Sequence, residues 1–234
     1  MTKKFELDKS TALEFEGRTL YRIRALKNFG QIKAGELGGY VQHEKNLQQK
    51  GNCWIYGSAK VMDESRVEIN ARVSGITVIK DHTTVTDQAV VGGGTTVSGC
   101  VFISGQALIY DTPTISGFVS ITDRATVAGS VVIDGSDIEI AGRATLRGDA
   151  IITNNRDYLV IKGVTRQHMT YTFSNHMWNV QDFYGLSDFH GTRGDLARAV
   201  RDSVTDIDFN DYSPYIHFVK TLENQQKENT TDDN

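Results

Sequence analysis

The chain has 234 residues, 39% of them hydrophobic, with 22 Gly, 2 Pro, 2 Cys and a formal net charge of -4. That balance gives no basic field to favour direct nucleic-acid binding, and two cysteines make no disulfide framework. No run approaches the roughly 20 apolar residues that span a bilayer, and the opening MTKKFELDKS has no apolar stretch behind it to make a signal peptide. A protein kept in the cytoplasm, without membrane contact, is the expectation.

Residues 1–52 read as an N-terminal cap. Leu13, Phe15, Leu20, Tyr21 and Ile23 alternate around Glu16-Gly17-Arg18, as half-buried strands of a hairpin would. Residues 25–52 are broken by Gly30, Gly35, Gly38 and Gly39 and read as irregular chain. Their expected task is to close a sheet end that would otherwise invite aggregation.

Residues 53–155 carry a ladder. Steps of six from Ile55 land on Val61, Val67, Val73, Ile79, Val85, Val91, Val97, Ile103, Ile109, Ile115, Ile121, Val127 and Ile133, all β-branched aliphatics. After one extra residue among Asp134-Gly135-Ser136-Asp137 the walk resumes at Ile140, Leu146 and Ile152. Two positions before each stop is usually a small or β-branched residue, such as Ala59, Ser65, Ala71 or Thr77; two positions after it is Gly or Asp, such as Gly57, Asp63, Gly75 or Asp81. Residues two apart share a strand face. Gly turns the corner because positive φ costs it nothing, and Asp because its side chain bonds local backbone. Three such flats per turn wind a triangular prism with coils about 4.8 Å apart. The ladder predicts five to six coils, a bulge near Asp137, and misfit residues at Ile69 and Pro113.

Residues 156–222 change character and read as a small α+β module. Strands are expected over 158–164 and 169–180, followed by a Gly-rich loop. Asp195 should cap a helix through Leu196, Ala199, Val200 and Val204. A second helix, around 212–222, presents Tyr215, Ile216, Phe218, Val219 and Leu222. Residues 223–234 are polar and acidic and read as a disordered tail.

The hexads Val61-Met-Asp-Glu-Ser65 and Ile103-Ser-Gly-Gln-Ala107 resemble those of the left-handed β-helix family of hexapeptide-repeat proteins. Left-handedness is implied by that resemblance alone, since parallel crossovers generally run right-handed. The fold expected is mainly β: a left-handed parallel β-helix with an N-terminal β cap and the C-terminal module. Tyr21-Arg-Ile-Arg-Ala25, Leu37-Gly-Gly-Tyr-Val41, Gly51-Asn-Cys-Trp-Ile55 and Phe189-His-Gly-Thr192 are similar to segments of bacteriophage- and prophage-encoded members. That similarity implies a non-catalytic protein in a bacterial host's cytoplasm that inhibits or sequesters a host factor. A counter-defence role is the leading instance, with a host protein, a defence complex or a small nucleotide signal as partner. Related β-helices imply a homo-oligomer, dimer or trimer.

Enzymes resembling this scaffold include acyltransferases that use acetyl-CoA, with a catalytic His on a coil and a loop expelled from a corner. An acyltransferase is therefore the second reading, and a structural or virion scaffold the third. His82 is the only histidine of the array and the sole candidate base, but the hexads from Ile55 to Ile133 admit no expelled loop. The unbroken register argues against an enzyme. No histidine spacing suits zinc, so neither metal nor cofactor is expected. A binding surface is expected instead in the C-terminal module. Tyr171, Phe173, Trp178, Phe183 and Tyr184 would supply aromatic anchors, with Arg156, Arg166, His168 and Arg193 as anion contacts.

Overall fold

In a computed structural model of the protein, which describes residues 3–164, 167–181, 189–201 and 213–231, the ladder closes on itself after three steps. Trp54–Ile55 pairs in parallel with Arg72–Val73, 18 residues on, and the stack continues through Val90–Val91, Leu108–Ile109, Thr126–Val127 and Thr145–Leu146. A second flat stacks Lys60–Val61, Val78–Ile79, Thr96–Val97, Thr114–Ile115, Val132–Ile133 and Ile151–Ile152. The third stacks Arg66–Val67, Thr84–Val85, Phe102–Ile103, Ser120–Ile121 and Glu139–Ile140. The result is a left-handed parallel β-helix of about six turns.

Every ladder stop from Ile55 to Ile152 is fully buried, as are the small partners Ala59, Ser65, Ala71, Thr77, Ala89 and Ala107. Each coil therefore buries three branched aliphatics, with small residues between them in the early coils and Val101, Val119, Val131 and Ile138 among those of the later ones. Pro113 fills one of the small inward slots and is buried, and its carbonyl accepts the Thr96 amide at 3.0 Å. The extra residue falls where the pairing Gly117↔Gly135 steps to Val119↔Ile138, so two residues oppose Phe118 alone.

The corners hold a correction. Asp63, Asp81, Asp87, Asp111 and Asp123 all take positive φ, as expected. Their carboxylates, however, reach the next coil rather than local backbone. Asp81 accepts the Gly99 amide at 2.8 Å, Asp87 that of Gly105 at 3.0 Å, Asp111 that of Gly129 at 3.0 Å, and Asp123 that of Gly142 at 2.9 Å. Stacked coils place a corner amide directly in line with the carboxylate of the coil before it. Ile69 occupies a corner at φ 58°, a conformation disfavoured for a β-branched residue. Gln48 Oε1 accepts its amide at 2.9 Å, and Cys53 donates to its carbonyl at 2.9 Å.

The cap is more regular than expected. Strands β1 (Phe5–Phe15) and β2 (Arg18–Ala25) form the hairpin, with Glu16 and Gly17 both at positive φ in its two-residue turn. Within 25–52 lies a third strand, β3 (Leu37–Val41), antiparallel to β2 and parallel to Lys60–Val61. It converts the hairpin's pairing into that of the coils. Gly38 and Gly39 allow this: a Cβ on Gly38 would lie 2.5 Å from Ile23 Cγ1, and one on Gly39 2.5 Å from Ile55 Cγ2. Arg18 clasps Asp63 with Nε at 2.6 Å and Nη2 at 3.0 Å, and Lys80 reaches Glu16 at 2.9 Å, so the hairpin tip is pinned to coil corners.

Contacts divide the chain into Met1–Asn155 and Arg156–Asn234. The second unit has an antiparallel sheet of Tyr158–Val164, Gln167–Thr172, Met177–Gln181 and Phe189–Gly191, with helices α1 (Arg193–Arg201) and α2 (Ser213–Thr231). The strand expected over 169–180 is two strands, split by a turn at 173–176. α2 runs through Thr231, so most of the segment expected to be a disordered tail is helical. Among the described residues no helix is long and apolar enough to cross a membrane.

Candidate functional site

The sheet of the C-terminal unit alternates its faces. Met169, Tyr171, Trp178 and Val180 turn one way and are buried with Leu196 of α1 and with Ile216 and Val219 of α2. Tyr171 lies 4.8 Å from the Trp178 ring and 5.1 Å, edge on, from Phe173. Over this aromatic floor is a cavity of about 310 Å³. Tyr171, Trp178, Ile216 and Val219 line it below, and His176, Arg193, Lys220 and Glu223 stand among its polar groups.

Three of those residues converge. His176 Nδ1 lies 2.9 Å from the Tyr171 hydroxyl and 2.8 Å from Glu223 Oε1, and the Tyr171 hydroxyl also donates to Glu223. An ionised carboxylate only accepts, so Glu223 holds the His176 proton on Nδ1 and leaves Nε2 as the lone-pair nitrogen. Burial, and then the bond and charge of Glu223, push the Tyr171 hydroxyl well above the ordinary tyrosine range, so it stays a donor. His176 sits at φ 56° in the turn at 173–176. That left-handed conformation is one His adopts more readily than most residues, and it turns the chain between the two strands.

Helix α1 opens beside the cavity. Thr192 precedes it and accepts the Asp195 amide at 3.3 Å, while Asp195 Oδ2 accepts the Thr192 amide at 2.9 Å. This reciprocal cap makes Thr192 the N-cap and Asp195 its third-position partner, not the cap expected. The Thr192 bonds hold the Asp195 carboxyl below the usual range. Gly191 gives the approach its room, since a Cβ there would lie 2.9 Å from Asp195 Cβ. Arg193 and Gly194 then follow at the cavity wall.

Of the residues expected to bind, Tyr171, Trp178 and Arg193 come together around this cavity. Phe173 is half-buried in the turn and braces Tyr171. His168, three residues before Tyr171, alternates onto the other face of the strand, and Arg156 lies on an exposed turn; neither lines the cavity. Arg166, Phe183 and Tyr184 lie outside the described residues. His82 is exposed at a coil corner, where its backbone amide bonds the Gly99 carbonyl at 3.0 Å. It does not line the cavity at Tyr171.

Sequence reasoning missed His176, Lys220 and Glu223. Ile216, Val219, Lys220 and Glu223 recur at the helical spacing of one face, but that face mixes apolar and charged residues, and Glu223 was assigned to the tail. Phe218, read as part of the apolar face, is 51% exposed.

No protein-family model matches the chain. A protein of Escherichia coli (strain K12) described as "Uncharacterized acetyltransferase YdcK" is 36% identical over 61 residues, which is 26% of this chain and 19% of that protein. The match thus spans about a fifth of the relative's length. This similarity overturns the expectation of a non-enzyme, because a relative named as an acetyltransferase points toward acyl transfer. An unbroken ladder excludes a loop expelled from a corner, but it does not constrain cavities built from chain outside the ladder, such as the one at Tyr171.

Proposed function

We propose that the protein is an acyltransferase that takes an acyl thioester such as acetyl-CoA as donor and a hydroxyl or amine as acceptor. The observation that carries this reading is the His176–Glu223 pair, joined at 2.8 Å and shared with Tyr171 at one cavity. The name of the Escherichia coli relative and the β-helix shared with such enzymes support it. The inhibitor reading shares the solenoid, but no observation of its own favours it.

The chemistry follows from the arrangement. His176 Nε2 takes the acceptor's proton as the acceptor attacks the thioester carbonyl, and Glu223 stabilises the imidazolium that forms. The tetrahedral intermediate collapses with loss of the thiolate, which recovers the proton from His176. Arg193 and Lys220 put positive charge where negative charge gathers on the oxygen.

The test is release of free thiol from acetyl-CoA by the full chain, followed with a thiol-reactive dye across a panel of amines and alcohols. Acceptor-dependent release that is lost in His176→Ala is the expected result. Absence of both thermal stabilisation by acetyl-CoA and thiol release with every acceptor would remove the proposal.

A further inference from the structure

At the other end of the chain the first described residues enclose an unusual pair. Lys4 Nζ lies 3.2 Å from Cys53 Sγ, although the two residues are 49 positions apart. Both are buried, Lys4 at 1% and Cys53 at 0% exposure. A buried ammonium ordinarily demands a carboxylate. Here the amine donates to the carbonyls of Cys53 at 3.0 Å, Lys50 at 3.4 Å and Gly51 at 3.5 Å, and it sits 5.1 Å from the centre of the Phe29 ring. The sulfur is held within 3.6 Å of the Gln48 carbonyl and 3.8 Å of that of Lys50. The pair joins the residue before β1 to the residue that enters the first coil.

We propose that Lys4 and Cys53 are a peroxide-responsive crosslinking site, in which oxidation of the thiol is captured by the amine as a sulfenamide that ties the N-terminal strand to the first coil. The Cys53 thiolate attacks hydrogen peroxide; an S–O bond forms, the O–O bond breaks, and the leaving hydroxide takes a proton from the Lys4 ammonium and departs as water, which leaves the amine neutral. The neutral Lys4 amine then attacks sulfur; an S–N bond forms, the S–O bond breaks, and the departing hydroxide takes the amine's proton as a second water. One thiol, one amine and one peroxide give one sulfenamide and two waters. The two electrons lost by sulfur go to the peroxide oxygens.

Access and fate both follow from the surroundings. A cavity of about 740 Å³, lined by Lys3, Lys4, Lys27, Phe29, Lys50 and Gly51, reaches the amine that touches the sulfur, so the oxidant's last step to Cys53 is past Lys4. The Lys4 amine already lies 3.2 Å from the sulfur, so the nucleophile in contact captures the sulfenic acid. Burial pushes the Cys53 thiol up while the charge of Lys4 pulls it back, and burial lowers Lys4 while Cys53 opposes that. Crosslinking needs a thiolate for the first step and a neutral amine for the second, so it speeds up as pH rises.

The test uses the full chain carrying Cys100→Ser, which leaves Cys53 as its one thiol. The chain is treated with hydrogen peroxide, digested and read by mass spectrometry. The expected product is a linked pair of peptides containing Lys4 and Cys53, about 2 Da lighter than their sum and released by dithiothreitol. Lys4→Arg keeps a cation in place but presents a guanidinium that does not lose its proton. That variant should lose the link, and its Cys53 should advance to sulfinic acid. A reversible rise in thermal midpoint on peroxide treatment of the Lys4 chain gives a second readout, independent of how Lys4→Arg folds. Sulfenic or sulfinic acid at Cys53 without a link in the Lys4 chain, or no reaction at Cys53, overturns the proposal.

Discussion

The Asp81 carboxylate accepts the backbone amide of Gly99 at 2.8 Å, 18 residues further on and one coil along. The bond runs parallel to the stack and is made by a residue whose φ of 64° also turns the corner. Asp81→Ala loses both services. It should cost about 1–2 kcal/mol, as a left-handed alanine with one charge-assisted bond gone. Asp81→Gly, which keeps the turn and loses the bond, should fall between alanine and the parent in urea unfolding. Equal stability of Ala and Gly variants would show that the corner conformation is unstrained.

Ile69 is the corner where that logic is violated, since a β-branched side chain sits at φ 58° and is 41% exposed. Ile69→Asn should raise stability by about 1 kcal/mol, because Asn tolerates the left-handed region. Thermal unfolding of the two chains, compared side by side, measures it. A lower midpoint would mean that the exposed isoleucine contributes more packing than its corner costs.

Val97 is a fully buried ladder stop, paired with Ile79 on one side and Ile115 on the other. Val97→Asp places a carboxylate among aliphatics with no partner. The loss should exceed about 3 kcal/mol, from forfeited burial and an unpaired charge together. Loss of cooperative unfolding by circular dichroism at room temperature is the expected readout.

The cap should loosen in acid. Burial pulls the Asp63 carboxyl upward, but the Arg18 bonds, the Asp81 amide and the Arg18 charge outweigh it and leave it below the ordinary value. A carboxyl depressed in the folded state adds stability above its unfolded pKa, and that contribution is lost as pH falls through the folded value. Arg18→Met should therefore lower the midpoint near neutral pH. The gap to the parent should shrink as pH falls through and below the ordinary carboxylate range and Asp63 protonates. A gap that stays constant in acid would place the Arg18 effect in packing rather than charge.

In the C-terminal unit His176→Asn should separate fold from chemistry. Asn accepts positive φ at least as well as His, so the thermal midpoint should hold. Without its base, acyl transfer should drop by about 100-fold or more. Glu223→Gln, which weakens the hold on the Nδ1 proton, should cost less, about 10-fold, and lower kcat rather than raise KM. Unchanged turnover in His176→Asn would move the chemistry away from this cavity.

How much could be read beforehand depended on how local the controlling physics was. The ladder from Ile55 to Ile152, its small partners and its bulge at Asp137 were legible because each coil repeats one packing solution. The Asp81–Gly99 bond was not, because a contact at 18 residues leaves no mark in either hexad. Strand β3 was hidden for the opposite reason. Gly38 and Gly39 look like breakers, and only their closeness to Ile23 and Ile55 shows that they are there to admit backbone. At the cavity, aromatic content flagged Tyr171 and Trp178. His176 and Glu223 meet across 47 positions, between a turn and a helix whose polar composition concealed it.

One turn of the β-helix takes 18 residues, and its three flats are not interchangeable: the first has Trp54 under Phe5 and Phe29, the second receives β3, and the third follows Gln48. Length in this array is therefore quantised. Excising residues 90–107 joins Ala89 to Leu108 with every later residue on its original flat. Removing six residues would instead rotate everything downstream by a third of a turn, and the face presented to the outside would change even though each hexad remained intact. A protein of this kind can grow or shrink by rungs, and it keeps its orientation only when it does so three hexads at a time.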